Sequence, residues 1–238
     1  MNTNGYLEVQ GAQQLATELL AQALPRRWSH TVAVAKTAAS LANVLAPEAA
    51  AEIVCAAWLH DIGYAPDLID TGFHPLDGAA YLTRENGDGK RIPAEVISLV
   101  AHHTGAAYEA RERGLQDLLD SYPRPDETKL AILSCADLCS GPDGAPVDPA
   151  ERISEVLARY PTDHPVHRAI TISAPTLVGQ SRRVLQAARD DCRLCQQLVE
   201  TRQETIARLR DSIALNEAEI AEIKRCDRHT DYHRQQLT

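Results

Sequence analysis

Two adjacent residues, His60 and Asp61, in the string Trp58-Leu59-His60-Asp61-Ile62-Gly63-Tyr64, set the chemistry to look for. A neutral imidazole nitrogen and an anionic carboxylate oxygen are complementary ligands for a divalent transition metal. The apolar approach Ala56-Ala57-Trp58-Leu59 reads as a buried helix, and Gly63 as its left-handed stop. Two ligating side chains at such a helix end have no structural task of their own. They have company in His30 upstream, in His74, His102 and His103 downstream, and in Asp137. His30, His60, Asp61 and Asp137 suffice for one metal with positions open to water or substrate. His74 and His102 would complete a second site, with Asp61 bridging through its other oxygen. Two such metals can position an attacking hydroxide and stabilise a phosphoryl oxygen at once. Taken singly, each histidine reads as well as a helix cap or a satisfied polar group. The six together, in this order, point to a site.

The elements that must position these residues are helices. One is expected from Gly11 to Leu24, after a loose start over residues 1–10. A second opens at Pro25, a residue suited to a first helical turn, and carries His30 on the face of Val34, Leu41 and Leu45. Pro47 opens a third, which ends in His60-Asp61. A loop rich in Gly, Pro and Asp runs from Ile62 to Phe73. His74-Pro75 opens the next helix, and Asn86-Gly87-Asp88-Gly89 breaks it. Another helix covers Ala94 to Ala101 and leads into His102-His103-Thr104-Gly105. The last before the tail, from Glu127 to Cys139, carries Asp137 and stops at Gly141-Pro142-Asp143-Gly144.

Composition agrees with an all-α class. Of 238 residues 44% are hydrophobic and only 4% aromatic, which favours close-packed helices over stacked strands. The net charge of −9 argues against a nucleic-acid backbone as main partner, since such proteins need clustered positive charge. No apolar stretch is long enough to span a bilayer, and the N-terminus lacks the pattern of a secretion signal. Six scattered cysteines form no disulfide framework, so free thiols in a reducing cytoplasm are expected. Composition shifts near residue 178, dividing a head (1–178) from a helical extension (179–238). In the extension Cys192, Cys195, Val199, Ile206, Leu209, Ile213, Ile220 and Ile223 fall on a three-four spacing, interrupted by Arg202, Asn216 and Asp227. That stripe is either a coiled-coil seam joining two copies or a face packed back on the head.

The set His30, His60-Asp61 and Asp137 resembles the H…HD…D pattern of the HD superfamily of metal-dependent phosphohydrolases, and Ile62-Gly63 matches its HDIG variant. His74-Pro75-Leu76-Asp77-Gly78 and His102-His103 look like the extra histidines of two-metal members. The resemblance spans about residues 20–145. It implies an HD-type helical bundle, two divalent metals such as iron or manganese, and hydrolysis of a phosphate ester or anhydride, with His60 and Asp61 at its centre. The stretch from Phe73 to Leu82, with His102 to Gly105, is similar to bacterial HD hydrolases of dinucleoside tetraphosphates. Cyclic-dinucleotide phosphodiesterases share some of these pieces but carry a Gly-Tyr-Pro signature, where this chain reads Thr104-Gly105-Ala106-Ala107-Tyr108.

The expected substrate is thus a nucleotide or related phosphorylated small molecule. Around the site, His103 reads as ligand, phosphate contact or outer support. Arg111, Arg113 and Lys129 read as phosphate contacts or as solvated surface charge. Two other classes stay open. Some HD-fold proteins use a di-iron site of the same ligand types to activate dioxygen, and a non-catalytic head could sense a ligand while the tail dimerises. Cys192-Arg193-Leu194-Cys195 lies mid-helix, where packing is the better account than redox or zinc chemistry.

Overall fold

The computed structural model describes residues 7–87 and 91–235. Among these residues the fold is all helical, with one isolated bridge between Ser140 and Pro146. The chain divides into two units, 1–189 and 190–238. In the first, helix α1 (Val9–Ala16) continues into a π-helical turn, Thr17–Ala21. Then come α2 (Pro25–Leu45), α3 (Ala50–Leu59), α4 (His74–Gly87), α5 (Ala94–His102), α6 (Ala106–Arg113), α7 (Gln116–Asp120), α8 (Glu127–Leu138) and α9 (Pro149–Arg159). Helix α10 (Pro165–Gln235) starts in the first unit and makes up the second.

Helix α3 is the central element. From Ile53 to Leu59 every residue is buried, as expected of a helix apolar on all sides. It packs against α1, α2, α5 and α8. Ala35, Ala38 and Ala42 of α2, and Ala56 and Ala57 of α3, are buried and keep side chains short enough for close helix approach. Each buried Leu or Ile contributes about 1.5–3 kcal/mol against exposure, which holds the ends of α3, α5 and α8 in fixed relation. Asp126 caps α8 by accepting from the amides of Thr128 and Lys129, a contribution of about 1 kcal/mol.

Gly63 is not the left-handed stop that its position suggests: it is absent from the glycines with positive φ. It lies in a 3-10 turn, Ile62–Tyr64, pressed against the start of α4. A Cβ there would stand 2.1 Å from the carbonyl oxygen of His74 and 2.6 Å from the amide nitrogen of Gly78. Only glycine permits that approach, which fixes His74 beside the end of α3. Asp77 secures the segment before it, accepting from the amides of Thr71 and Gly72 and from the Thr71 hydroxyl.

Other expectations shift. The loop from Ile62 to Phe73 holds two 3-10 turns, Ile62–Tyr64 and Pro66–Leu68. Within the region expected to be loose, the Leu7 amide donates to the Arg91 carbonyl at 2.9 Å and a helix starts at Val9; residues 1–6, like Asp88 and Gly89 of the expected break, lie outside the described residues. Helices α6, α7 and α9 were not anticipated: α7 spans five residues, and α6 and α9 carry four charged residues each. Helix α10 begins at Pro165 and passes through Pro175. The division falls at 189/190 rather than 178/179 because Val184 is buried in the head's core, with Leu185 and Ala188 packed against it. On the second unit, Ile206, Leu209 and Ile213 are exposed. The side chains of Cys195, Val199, Asn216, Ile220, Ile223, Cys226, His229 and His233 lie outside the described residues. No helix among the described residues is long and apolar enough to cross a membrane.

Candidate metal centre

His30 projects from the second turn of α2, His60 and Asp61 follow α3, His74 opens α4, His103 follows α5, and Asp137 lies in the last turn of α8. They form two groups whose possible ligand atoms all lie within 4.8 Å of one another: His30, His60 and Asp137, and Asp61, His74 and His103. In the first, His30 Nε2 is 3.0 Å from Asp137 Oδ1. In the second, His74 Nε2 is 3.1 Å from His103 Nε2. Asp61 joins them. Its Oδ2 is 3.3 Å from His60 Nε2 and 3.6 Å from His30 Nε2, while its Oδ1 is 3.4 Å from His74 Nε2.

The backbone sets the orientation of three rings. Nδ1 of His30 donates to the Gly141 carbonyl at 3.1 Å, that of His60 to Ala57 at 2.7 Å, and that of His103 to Val100 at 2.7 Å. A carbonyl only accepts, so each Nδ1 carries a proton, which leaves Nε2 as the nitrogen that faces the ligand group and can bind a metal once deprotonated. His60 and His103 use the same device. Each sits one residue past the end of a buried helix and satisfies an otherwise open carbonyl three residues back.

His103 thereby takes the place expected of His102. The ring of His102, still on α5, donates from Nε2 to the Tyr122 carbonyl at 3.1 Å and lines a separate cavity with Tyr108 and Arg124. One step along a helix turns a side chain by about 100°, so the two cannot face the same way.

Electrostatics suit bound cations. Burial alone would raise the pKa of Asp61, but Arg27, His60 and His74 more than offset it and hold the carboxyl well below its usual range. Burial likewise opposes ionisation of Asp137, and hydrogen bonding with His30 overcomes it. Burial pushes His74 and His103 below the ordinary histidine value, so both favour the neutral, ligating form. One observation tests whether a metal fits. His60 Nε2 is fully buried without a hydrogen-bond partner, which is costly in protein alone and satisfied by coordination. The donor set of imidazole nitrogens and carboxylate oxygens fits a divalent transition metal.

Residues the sequence reading passed over complete the centre. Arg27, one helical turn before His30, donates from Nη1 to Asp61 Oδ2 at 2.8 Å. Its guanidinium lies 4.1 Å from the centroid of Tyr64, whose ring stacks on His74 at the same centroid distance. Thr104 adopts φ 43°, a strained value for a β-branched residue, and its hydroxyl donates to Asp137 Oδ2 at 2.5 Å. The three-residue spacing of Arg27 and His30 was a usable signal; the turn at Thr104 left none.

A narrow cleft of about 100 Å³ opens beside these groups, with Asp61, His74, His103 and Asp137 on its wall. Arg111 and Lys129 do not reach it. Arg111 is exposed on α6, and Lys129 pairs with Glu52 at 2.6 Å and Glu95 at 3.6 Å. Arg113 pairs with Glu109 at 2.7 Å. The described cysteines, Cys55, Cys135, Cys139 and Cys192, are free thiols away from the cleft lining.

Residues 27–141 match the family model of the HD domain. The match takes in His30, both residues of the His60-Asp61 pair, His74, His103 and Asp137. Neither the comparison with curated proteins nor that with solved structures finds a match.

Proposed function

We propose that the HD-domain segment is the core of a two-metal phosphohydrolase acting on a nucleotide or a related phosphorylated small molecule. The observation that carries this reading is the division of Asp61 between two ligand groups, one oxygen to each. His30, His60 and Asp137 would hold one cation, His74 and His103 the other, with Asp61 shared between them. When bound, the cations would supply the charge that polarises a phosphoryl oxygen and lowers the pKa of a water. The protein's own part is positional. Backbone carbonyls keep the Nε2 atoms aimed inward, and Thr104 holds Asp137 in place. Arg27 balances the charge of Asp61 and presents a guanidinium at the cleft. Free thiols on the described chain suit a reducing cytoplasm.

The same ligand types would serve a di-iron oxygenase, so the test reads both outcomes. Protein purified without chelators is expected to carry two metals per chain and to release phosphate from nucleotide substrates. Asp61→Ala is expected to lose both metals and to bring hydrolysis to background. Full metal content in that variant would sink the assignment. Oxygen uptake without phosphate release would favour the oxygenase.

A further inference from the structure

Helix α9 lies beyond the matched domain, yet it places two arginines at the metal-lined cleft. Arg152 and Arg159 line the cleft together with Arg27. The same three, with Tyr64, also line a larger adjoining cavity of about 370 Å³. The rest of that cavity is Ala23, Leu24, Pro25, Arg26 and Pro142, so among the described residues no acidic side chain lines it. This is unexpected in a chain with a net charge of −9. Four guanidiniums therefore gather on one concave wall.

Their partners do not neutralise them fully. Arg152, only 6% exposed, and Arg159 share one carboxylate, that of Glu155. Arg27 leans on Asp61, whose charge is committed to the ligand groups. Arg26 pairs with Asp143 in the open, where the pair has little strength. Arg152 is the buried member, and a buried guanidinium on a shared carboxylate is costly, a cost that an anionic ligand reduces. Arginine is suited to it, because its planar fork meets the oxygens of phosphate or carboxylate in pairs.

Size separates two roles. The cleft of about 100 Å³ suits one phosphoryl group, so the remainder of a substrate must leave through the arginine-lined cavity. We infer that Arg27, Arg152 and Arg159 form an anion subsite beside the metal ligands, which receives a second negatively charged group of the substrate, while Tyr64, Leu24, Pro25 and Pro142 cover its uncharged part. The inference rests on the phosphohydrolase reading for what occupies the cleft, but the subsite itself can be tested by binding alone.

The test compares adenosine 5′-monophosphate with α,β-methylene adenosine diphosphate, a non-hydrolysable probe with one more phosphoryl group, by titration calorimetry on the full chain saturated with manganese. Wild type is expected to bind the diphosphate analogue at least about tenfold more tightly, the gain from one or two charge-assisted hydrogen bonds. Arg159→Met, at a partly exposed position that should not disturb folding, is expected to bring that preference within about threefold, by weakening the diphosphate analogue more than the monophosphate. Arg152→Met is expected to do the same, with circular dichroism as the check on its fold. No preference in wild type, or a tenfold preference that survives in Arg159→Met, overturns the subsite. Failure of the metal reading shows elsewhere, as metal retained by Asp61→Ala, and leaves the ratio of the two affinities untouched.

Discussion

Which histidine faces this centre is decided by single positions along the chain. His102 and His103 are adjacent, equal in chemistry, and opposite in placement. The histidine past the helix end donates its Nδ1 proton to a carbonyl three residues back and aims Nε2 at His74, whereas the one inside the helix turns to Tyr122. His60 repeats the arrangement at the end of α3. The expected outcome is therefore asymmetric. His103→Ala should lower metal content by about one ion per chain. His102→Ala should leave metal content unchanged and cost about 1 kcal/mol of stability, the worth of its hydrogen bond. Elemental analysis and a urea melt on both variants check this. Equal metal loss in both, or loss in His102→Ala alone, would return the second site to His102. The sequence singled out the His102-His103 pair as a candidate for one ligand. Choosing between them required knowing which residue ends α5, and helix ends are uncertain by one or two positions without coordinates.

At the scale of elements, the first ligand group was anticipated and the second only in part. His30 and Asp137 lie on helices with apolar faces and the His60-Asp61 pair just past the end of another, and the H…HD…D resemblance carried the expectation that they converge. The cleft's far wall was not anticipated. Helix α9 mixes charged and apolar residues, and its arginines seven residues apart look like any solvated face until Arg152 proves buried. Gly63 misled for a related reason. In sequence a glycine after an apolar run reads as a helix stop, whereas here it serves a contact between elements distant in the chain. That contact couples fold to site, because the atom a side chain would strike is the carbonyl oxygen of His74. Gly63→Ala should destabilise the protein by about 3 kcal/mol or more, at the upper end for overpacking, because both neighbouring atoms are backbone and cannot rotate away. It should also weaken binding at the second group more than at the first, since α4 carries His74 alone among the ligands. Thermal melts and metal titration of the variant test both parts. A variant as stable as wild type would mean that the turn and α4 can separate freely.

For the whole molecule, the question is what the second unit does. Ile206, Leu209 and Ile213 follow a three-four spacing on α10 and are 41%, 59% and 58% exposed. Apolar side chains left exposed in a row on one face are surface that a partner helix would cover. Residues 181–238 carry eleven basic and ten acidic side chains, so two copies can lie together without strong repulsion. Pairing between two copies is the proposal that uses these facts most directly, since a heptad stripe is self-complementary. Every proposed metal ligand precedes residue 140, and so the head should close its site without the second unit. The cut that tests this belongs after Arg189, because removing residues from 181 onward would strip Val184 from the head's core. The full chain should run as a dimer by light scattering, and the chain ending at Arg189 as a soluble monomer with its metal content intact. Ile206→Glu with Ile213→Glu, in the full chain, should dissociate the dimer while leaving metal content and hydrolysis near wild type. A full chain that is already monomeric removes the seam. An aggregating 1–189 chain would mean instead that the second unit covers apolar surface of the head, and independence of the two units would be lost with it.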